Sequence, residues 1–172
     1  MLTTNLDPLG IEPLLPETNL SKLLRFPLGV KDSALLPLEQ IAEVIKINVT
    51  EILPIPEMPS CVLGICNWRG EMLWLIDIDH LVGYPSLTGT VMPLAIVIQV
   101  YERSVGLVVQ RVDNIELHDL QQLQQAVTGL FPPKLLPFVL GALPGGHTVL
   151  DVIAVAQCSI WQIHEKGVGG RV

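Results

Sequence analysis

The chain is short of charge. Asp, Glu, Lys and Arg make up 16% of its 172 residues, against roughly 25% in an average soluble domain. Cations are the scarcer sign: ten Lys and Arg stand against 17 Asp and Glu, a formal net charge of −7. Nucleic-acid affinity rests on neutralising phosphates, so an acidic chain with no basic cluster excludes that class and disfavours anionic membrane surfaces. Cysteine is rare too. Cys61, Cys66 and Cys158 are odd in number and lack C-x-x-C spacing, which suits reduced thiols in a cytoplasm. Long apolar runs are missing despite a mean hydropathy of +0.50. Leu94–Ile98 and Leu107–Val109 fall far below the roughly 18 residues of a spanning helix. No basic segment precedes an apolar stretch at the N-terminus, so no secretory signal is expected.

Hydrophobic residues are plentiful, at 49%, with 14 Pro and 14 Gly. That balance excludes general disorder and, at this length, implies one domain able to bury a core without disulfides or metals. It also leaves few charges to cover a monomer's surface, which points to partner surfaces. Pro8, Pro13 and Pro16 interleave with Asp7, Glu12 and Glu17, so residues 1–20 read as a flexible proline-containing tail. Residues 166–172 are glycine-rich and read as a second flexible tail, leaving 21–165 as the folded domain. No repeat of 20–50 residues is apparent.

Between the tails, short β segments alternate with Pro and Gly. Strands are expected at Leu23–Leu28, Ala34–Leu36, Gln40–Ile47, Val62–Trp68, Glu71–Asp77, Leu94–Tyr101, Val105–Asn114, Lys134–Leu143 and His147–Leu150, from β-branched and apolar runs bounded by turn residues. Ile52–Pro59 holds three prolines and must be a connector or an edge, since proline cannot donate to a ladder. The Gln-rich stretch His118–Thr128 reads as a short helix or a loop. One helix is expected late: Asp151 caps it, and Ile153, Ala156, Ile160 and Ile163 share a face at helical spacing. The fold class is all-β with this short C-terminal helix, as one or two small antiparallel barrels.

Enzymatic signatures fail. There is no G-x-G-x-x-G, P-loop or G-x-S-x-G elbow, and His80, His118, His147 and His164 lack zinc spacing. Asp77, Asp79 and His80 could bind a divalent cation or act as acid and base. The plainer reading makes them a strand end and a helical turn, Asp79–Val82, capped by Asp79 and ended by Gly83. Trp68 and Trp74 could form a stacking wall for a ring ligand in a small-ligand-binding barrel, but aromatics at strand positions more often fill a core. No catalytic residue, metal or cofactor is expected. Asn67-Trp68-Arg69-Gly70 resists explanation by packing alone. Gly70 supplies the positive φ of a tight turn between two apolar strands. The Arg69 guanidinium either bridges to a distant carboxylate or meets a partner.

At these residues the sequence resembles the CheW family of chemotaxis coupling proteins. The resemblance rests on Phe26-Pro-Leu-Gly29, Leu36-Pro-Leu-Glu-Gln-Ile41, Ile52-Leu-Pro-Ile-Pro56, Leu63-Gly64, Asn67-Trp-Arg-Gly-Glu71, Leu75-Ile-Asp-Ile78, Leu81-Val-Gly83, Val105-Gly-Leu-Val-Val109 and Val149-Leu-Asp151, and runs from about residue 22 to 163. It implies two SH3-like five-stranded β-barrels packed side by side. It further implies a non-enzymatic adaptor linking the cytoplasmic tip of a methyl-accepting chemoreceptor to the regulatory domain of a CheA-type histidine kinase. Such an adaptor would be cytoplasmic and recruited to membrane-associated receptor arrays. Asn67-Trp-Arg-Gly, with Trp74 and Asp79-His80, is most similar to cyanobacterial phototaxis or pilus-motility adaptors. By position, the resemblance assigns Ile41, Gly64, Arg69, Val108 and Val109 to a receptor groove, and Leu38 and Glu43 to a kinase-facing surface. Gln110 departs from the family, which usually has Asp there.

Overall fold

The punctuated β segments fold as expected into a nearly all-β protein in the computed structural model, which describes residues 19–85, 92–125, 129 and 131–158. Among these residues the order is β1 (Leu20–Leu28), β2 (Asp32–Pro37), β3 (Ile41–Lys46), β4 (Val62–Trp68), β5 (Glu71–Asp77), α1 (Ile78–Leu81), β6 (Leu94–Val100), β7 (Arg103–Val109), β8 (Asn114–Asp119), β9 (Val139–Leu143), β10 (His147–Leu150) and α2 (Val152–Ala156). Two five-stranded sheets result, ordered β8-β1-β2-β10-β9 and β3-β6-β7-β5-β4. We call them barrel A and barrel B. Barrel B is one continuous stretch of chain, whereas barrel A is assembled from both sides of it.

The two barrels are the same design. Laid side by side, their orders match strand for strand: β3 with β8, β6 with β1, β7 with β2, β5 with β10 and β4 with β9. Each has one parallel pairing at the same place, β5 with β7 and β10 with β2, where the expectation of antiparallel sheets gives way. Each has a helix after its fourth strand, with Asp77 accepting from the His80 N–H and Asp151 from the Ala154 N–H. Each has a backbone bridge onto its last strand, Leu53 to Ile65 and Gln124 to Ala142. The residue before each bridge is glycine, because a Cβ on Gly64 or Gly141 would collide with the Leu53 or Gln124 carbonyl. Val62-Leu63-Gly64 and Val139-Leu140-Gly141 are therefore the same motif, spaced too far apart for a short repeat to show.

Among the described residues three apolar cores follow. Leu73, Leu75, Ala95, Val97, Val108, Ile47 and Trp68 fill barrel B, and Leu23, Leu35, Leu143 and Val149 fill barrel A. The largest lies between the barrels, where Leu24, Phe26, Leu28 and Leu36 meet Ile76, Ile96, Ile98 and Leu107. Strands β6 and β7 are thus buried on both faces along most of their length, which is why Leu94–Ile98 and Val105–Val109 read as runs without a charged residue.

Some expected elements change. The β8 strand replaces the end of Val105–Asn114 and the start of the Gln-rich stretch, and is followed by a 3-10 turn at Leu120–Gln122. Residues 134–138 form a turn and a 3-10 turn, so strand structure begins only at Val139. In α2, Val152, Val155 and Ala156 are buried and Ile153 faces out, a different face from the one expected. Ile160 and Ile163 lie outside the described residues. So do the expected tails, except that β1 already begins at Leu20.

Candidate functional site

The β4–β5 hairpin closes with two residues, since Trp68 pairs with Glu71. Arg69 and Gly70 both take positive φ, at 53° and 78°, the backbone of a tight hairpin turn whose twist matches the flanking strands. Asn67 steadies it, its Oδ1 accepting from the Gly70 N–H at 3.3 Å. Left-handed backbone costs a non-glycine residue about 1–2 kcal/mol, so Arg69 is held in a position that glycine would occupy without strain.

Trp68 leans into barrel B, 6% exposed. Its indole Nε1 donates to Glu43 Oε1 at 2.9 Å. Arg69 Nη2 reaches the same carboxylate at 3.0 Å, and the Arg69 guanidinium stands over the Trp68 ring at 4.9 Å from its centroid. One carboxylate on β3 therefore locks both an indole and a guanidinium from the far hairpin. The Arg69 side chain remains 64% exposed and Glu43 40%. Exposed pairs of this kind contribute at most about 1 kcal/mol, so the cluster presents a pre-oriented cation and acceptor at little gain to the fold.

The structure brings Glu43, Asn67, Trp68, Arg69 and Gly70 together and places the other sequence-derived site residues elsewhere. Gly64 lies buried at the opposite end of β4, where it admits the Leu53 carbonyl. Val108 is 2% and Val109 1% exposed, in the barrel B and inter-barrel cores respectively. Their side chains shape the sheet and offer no contact surface. Leu38, in a 3-10 turn, and Ile41 pack half-buried on the inter-barrel core. Ile41 also lines an open cleft of about 450 Å³ with Tyr101 and Ile153. Tyr101 is a residue that sequence reasoning missed: it is 78% exposed at the β6–β7 turn with φ 57°. Its signal was an aromatic set between two apolar strands at a two-residue turn.

A stacking wall is ruled out by geometry. Trp68 packs into the barrel B interior, whereas Trp74 packs against the inter-barrel core on the other face of the sheet. Asp77, Asp79 and His80 are accounted for structurally. Asp77, rather than Asp79, caps α1, and His80 Nε2 meets Ser60 Oγ at 2.6 Å. Asp79 is buried and accepts from Gln110 Nε2 at 3.3 Å. An amide at position 110 suits a buried carboxyl opposite, where a second carboxylate would repel it. Among the described residues no three His, Cys, Asp or Glu side chains are grouped to hold a metal, and no helix is long and apolar enough to cross a membrane. Burial pushes the Cys61 and Cys66 thiols up, away from the reactive thiolate.

Barrel A carries ionic groups at positions where barrel B is apolar. Arg25 donates from Nη2 to Glu116 Oε1 at 3.0 Å and contacts His147 Nδ1 at 2.7 Å, while His118 Nε2 lies 2.8 Å from Glu116 Oε1. The Arg25 hydrogen bond, with that of His118, holds the Glu116 carboxyl down to about 2.

Comparison with known proteins completes the description of the site. The family model for the CheW-like domain matches residues 22–159. A 66-residue stretch is 39% identical to the chemotaxis protein CheW of Rhizobium meliloti (strain 1021), covering 38% of this chain and 43% of that protein's length. The crystal structure of the scaffolding protein TtCheW from Thermoanaerobacter tengcongensis superimposes with a TM-score of 0.65 at 22% identity, over 76% of this chain and 82% of that one. That likeness identifies the two barrels as SH3-like.

Proposed function

The chain belongs to the CheW-like domain family, and from that premise we propose that it is a non-enzymatic adaptor of chemotaxis-type signalling. In this reading it couples the cytoplasmic tip of a methyl-accepting chemoreceptor to the regulatory domain of a CheA-type histidine kinase, at membrane-associated receptor arrays. The observation that carries the reading is the Glu43–Trp68–Arg69 cluster. A guanidinium is oriented by an indole and a carboxylate, left 64% exposed, and kept on backbone that costs stability. A structural arginine would be expected to add stability instead. Strain retained at an exposed polar group is the mark of a contact site.

Within the cluster, Arg69 serves the receptor and Glu43 the kinase, the latter together with Leu38 outside the cluster. Because Arg69 and Glu43 share one ion pair, occupancy at one surface changes the freedom of the other, and coupling requires such a difference in contact energy. Asn67-Trp68-Arg69-Gly70, with Trp74 and the Asp79-His80 pair, supports a phototaxis or pilus-motility setting with photoreceptor-type partners.

Calorimetric titration of the full chain with the regulatory domain of a CheA-type kinase from the same genome tests the reading. Saturable one-to-one binding is expected. Arg69→Ala should weaken receptor-tip binding about tenfold, the scale of one well-oriented charged contact, while circular dichroism and thermal unfolding stay those of the wild type. Absence of binding to both partners would overturn the adaptor role.

A further inference from the structure

Asp79 lies where the two barrels touch. It is 2% exposed, on α1 at the end of barrel B. Its Oδ2 accepts from Gln110 Nε2, which also donates to the Gly29 carbonyl at 3.2 Å, and the Gly29 backbone N–H donates to the same carboxyl. Its main-chain carbonyl accepts from the Tyr84 N–H at 2.8 Å. Tyr84 in turn donates its hydroxyl to Asp32 Oδ2 at 2.6 Å and lays its ring on Gly29, with no room for a Cβ. Gly29 and Asp32 flank the β1–β2 turn of barrel A. Tyr84, Asp79 and Gln110 follow strands of barrel B. The carboxyl is therefore a fastening between barrels.

It is incompletely fastened. Asp79 Oδ1 is buried with no hydrogen-bond partner. An ionised carboxylate offers about four acceptor sites, and burying one so thinly satisfied is costly, whereas a neutral carboxyl is buried far more easily. Its charged surroundings do not help. Asp77 on its own side and Asp32 across the seam are both acidic; Tyr84 is a neutral donor committed to Asp32, and His80 on the same helix meets Ser60.

We propose that Asp79 is a proton-operated latch of the inter-barrel seam. Protonated, it lets the β1–β2 turn seat on α1 and Gln110; ionised, it draws water to Oδ1 and loosens that turn. Burial, chiefly, raises the Asp79 pKa, with Asp77 adding to it against the Gln110 and Gly29 hydrogen bonds. For a carboxyl raised in the folded state, the linked stability is complete below the ordinary aspartate value and is lost as pH rises through the higher folded value.

The test is an NMR titration of the full chain from pH 4 to 8.5, following side-chain carboxyl carbons and backbone amides. The Asp79 carboxyl and the Gly29 amide are expected to titrate together, with a midpoint above the ordinary aspartate value. Above that midpoint, exchange of the Gly29 and Tyr84 amides, corrected for base catalysis, should quicken by up to about tenfold per pH unit. Asp79→Asn should abolish that acceleration. Gln110→Leu, which removes a donor, should move the midpoint further up even if Asp79→Asn fails to fold. An ordinary midpoint, an acceleration that persists in Asp79→Asn, or a midpoint unmoved in Gln110→Leu would each overturn the latch.

Discussion

Arg69 shows how far a single residue can be read from sequence. Its place before Gly70 announces a turn, and its lack of a local carboxylate other than Glu71 announces a distant partner; that partner is Glu43, some way back along the chain on β3. Nothing in the local pattern of β3 could name Glu43, because cross-barrel pairing is set by sheet order. Val108 and Val109 went the other way. Matched by position to a groove, they lie inside, since a sheet shared by two cores has no outer face along β7. Replacing Arg69 with glycine separates fold from contact: Arg69→Gly should unfold at equal or higher denaturant, by about 1 kcal/mol of relieved strain, while losing receptor-tip affinity as Arg69→Ala does. Glu116 makes the opposite case. Its folded-state pKa is depressed to about 2, so the stability it adds is complete above its ordinary value and drains away as pH falls toward the folded value. Glu116→Gln should cost about 1–3 kcal/mol at neutral pH and flatten the acid limb of the stability curve, measured by urea unfolding between pH 2 and 5.

At the scale of elements, segments with an apolar alternation or an apolar run were legible. Strands β4, β5 and β10 have the expected bounds, and β2, β3 and β6 lie within a residue or two, whereas β1 starts earlier, β7 ends earlier and β9 starts later than expected. The β8 strand was not legible because its pattern is inverted. Ile115 and Leu117 are exposed on it, while Glu116 and His118 turn inward to Arg25 and its neighbours. The α2 helix was found from its Asp151 cap, but helical spacing alone picked Ile153 over Val152 and Val155. The kinship of the barrels stayed hidden because the β4–β5 hairpin outgrows β9–β10 and the copies are circularly rearranged. That kinship predicts paired behaviour at the bridging glycines. Gly64→Ala must displace a backbone carbonyl and should cost about 1–3 kcal/mol by overpacking; Gly141→Ala should cost a similar amount, both read by chemical denaturation. A neutral result at Gly64 would dissociate the glycine from the bridge.

On the scale of the molecule, the hydrophobic excess first suggested partner surfaces, and much of it is spent internally. Strands buried on two faces and a core shared between barrels absorb apolar residues that a single sandwich would leave outside. The shared core should make the barrels unfold together. Leu107→Ala, at a fully buried position between them, should destabilise by about 2–5 kcal/mol and keep one transition, coincident by tryptophan fluorescence and far-UV circular dichroism. Two separate transitions would show that each barrel stands alone. The chain's path through the barrels also has a consequence in time. Barrel B leaves the ribosome as one continuous block and can close at once. The β1–β2 hairpin, made before barrel B, must wait for β8, β9 and β10, because Leu23 finds Glu116, and Ala34 finds Thr148, only after all of barrel B has been made. While barrel B is being made the nascent chain therefore carries Leu23, Leu24, Phe26 and Leu35 without their final cover, and it is there that a chaperone has most to protect.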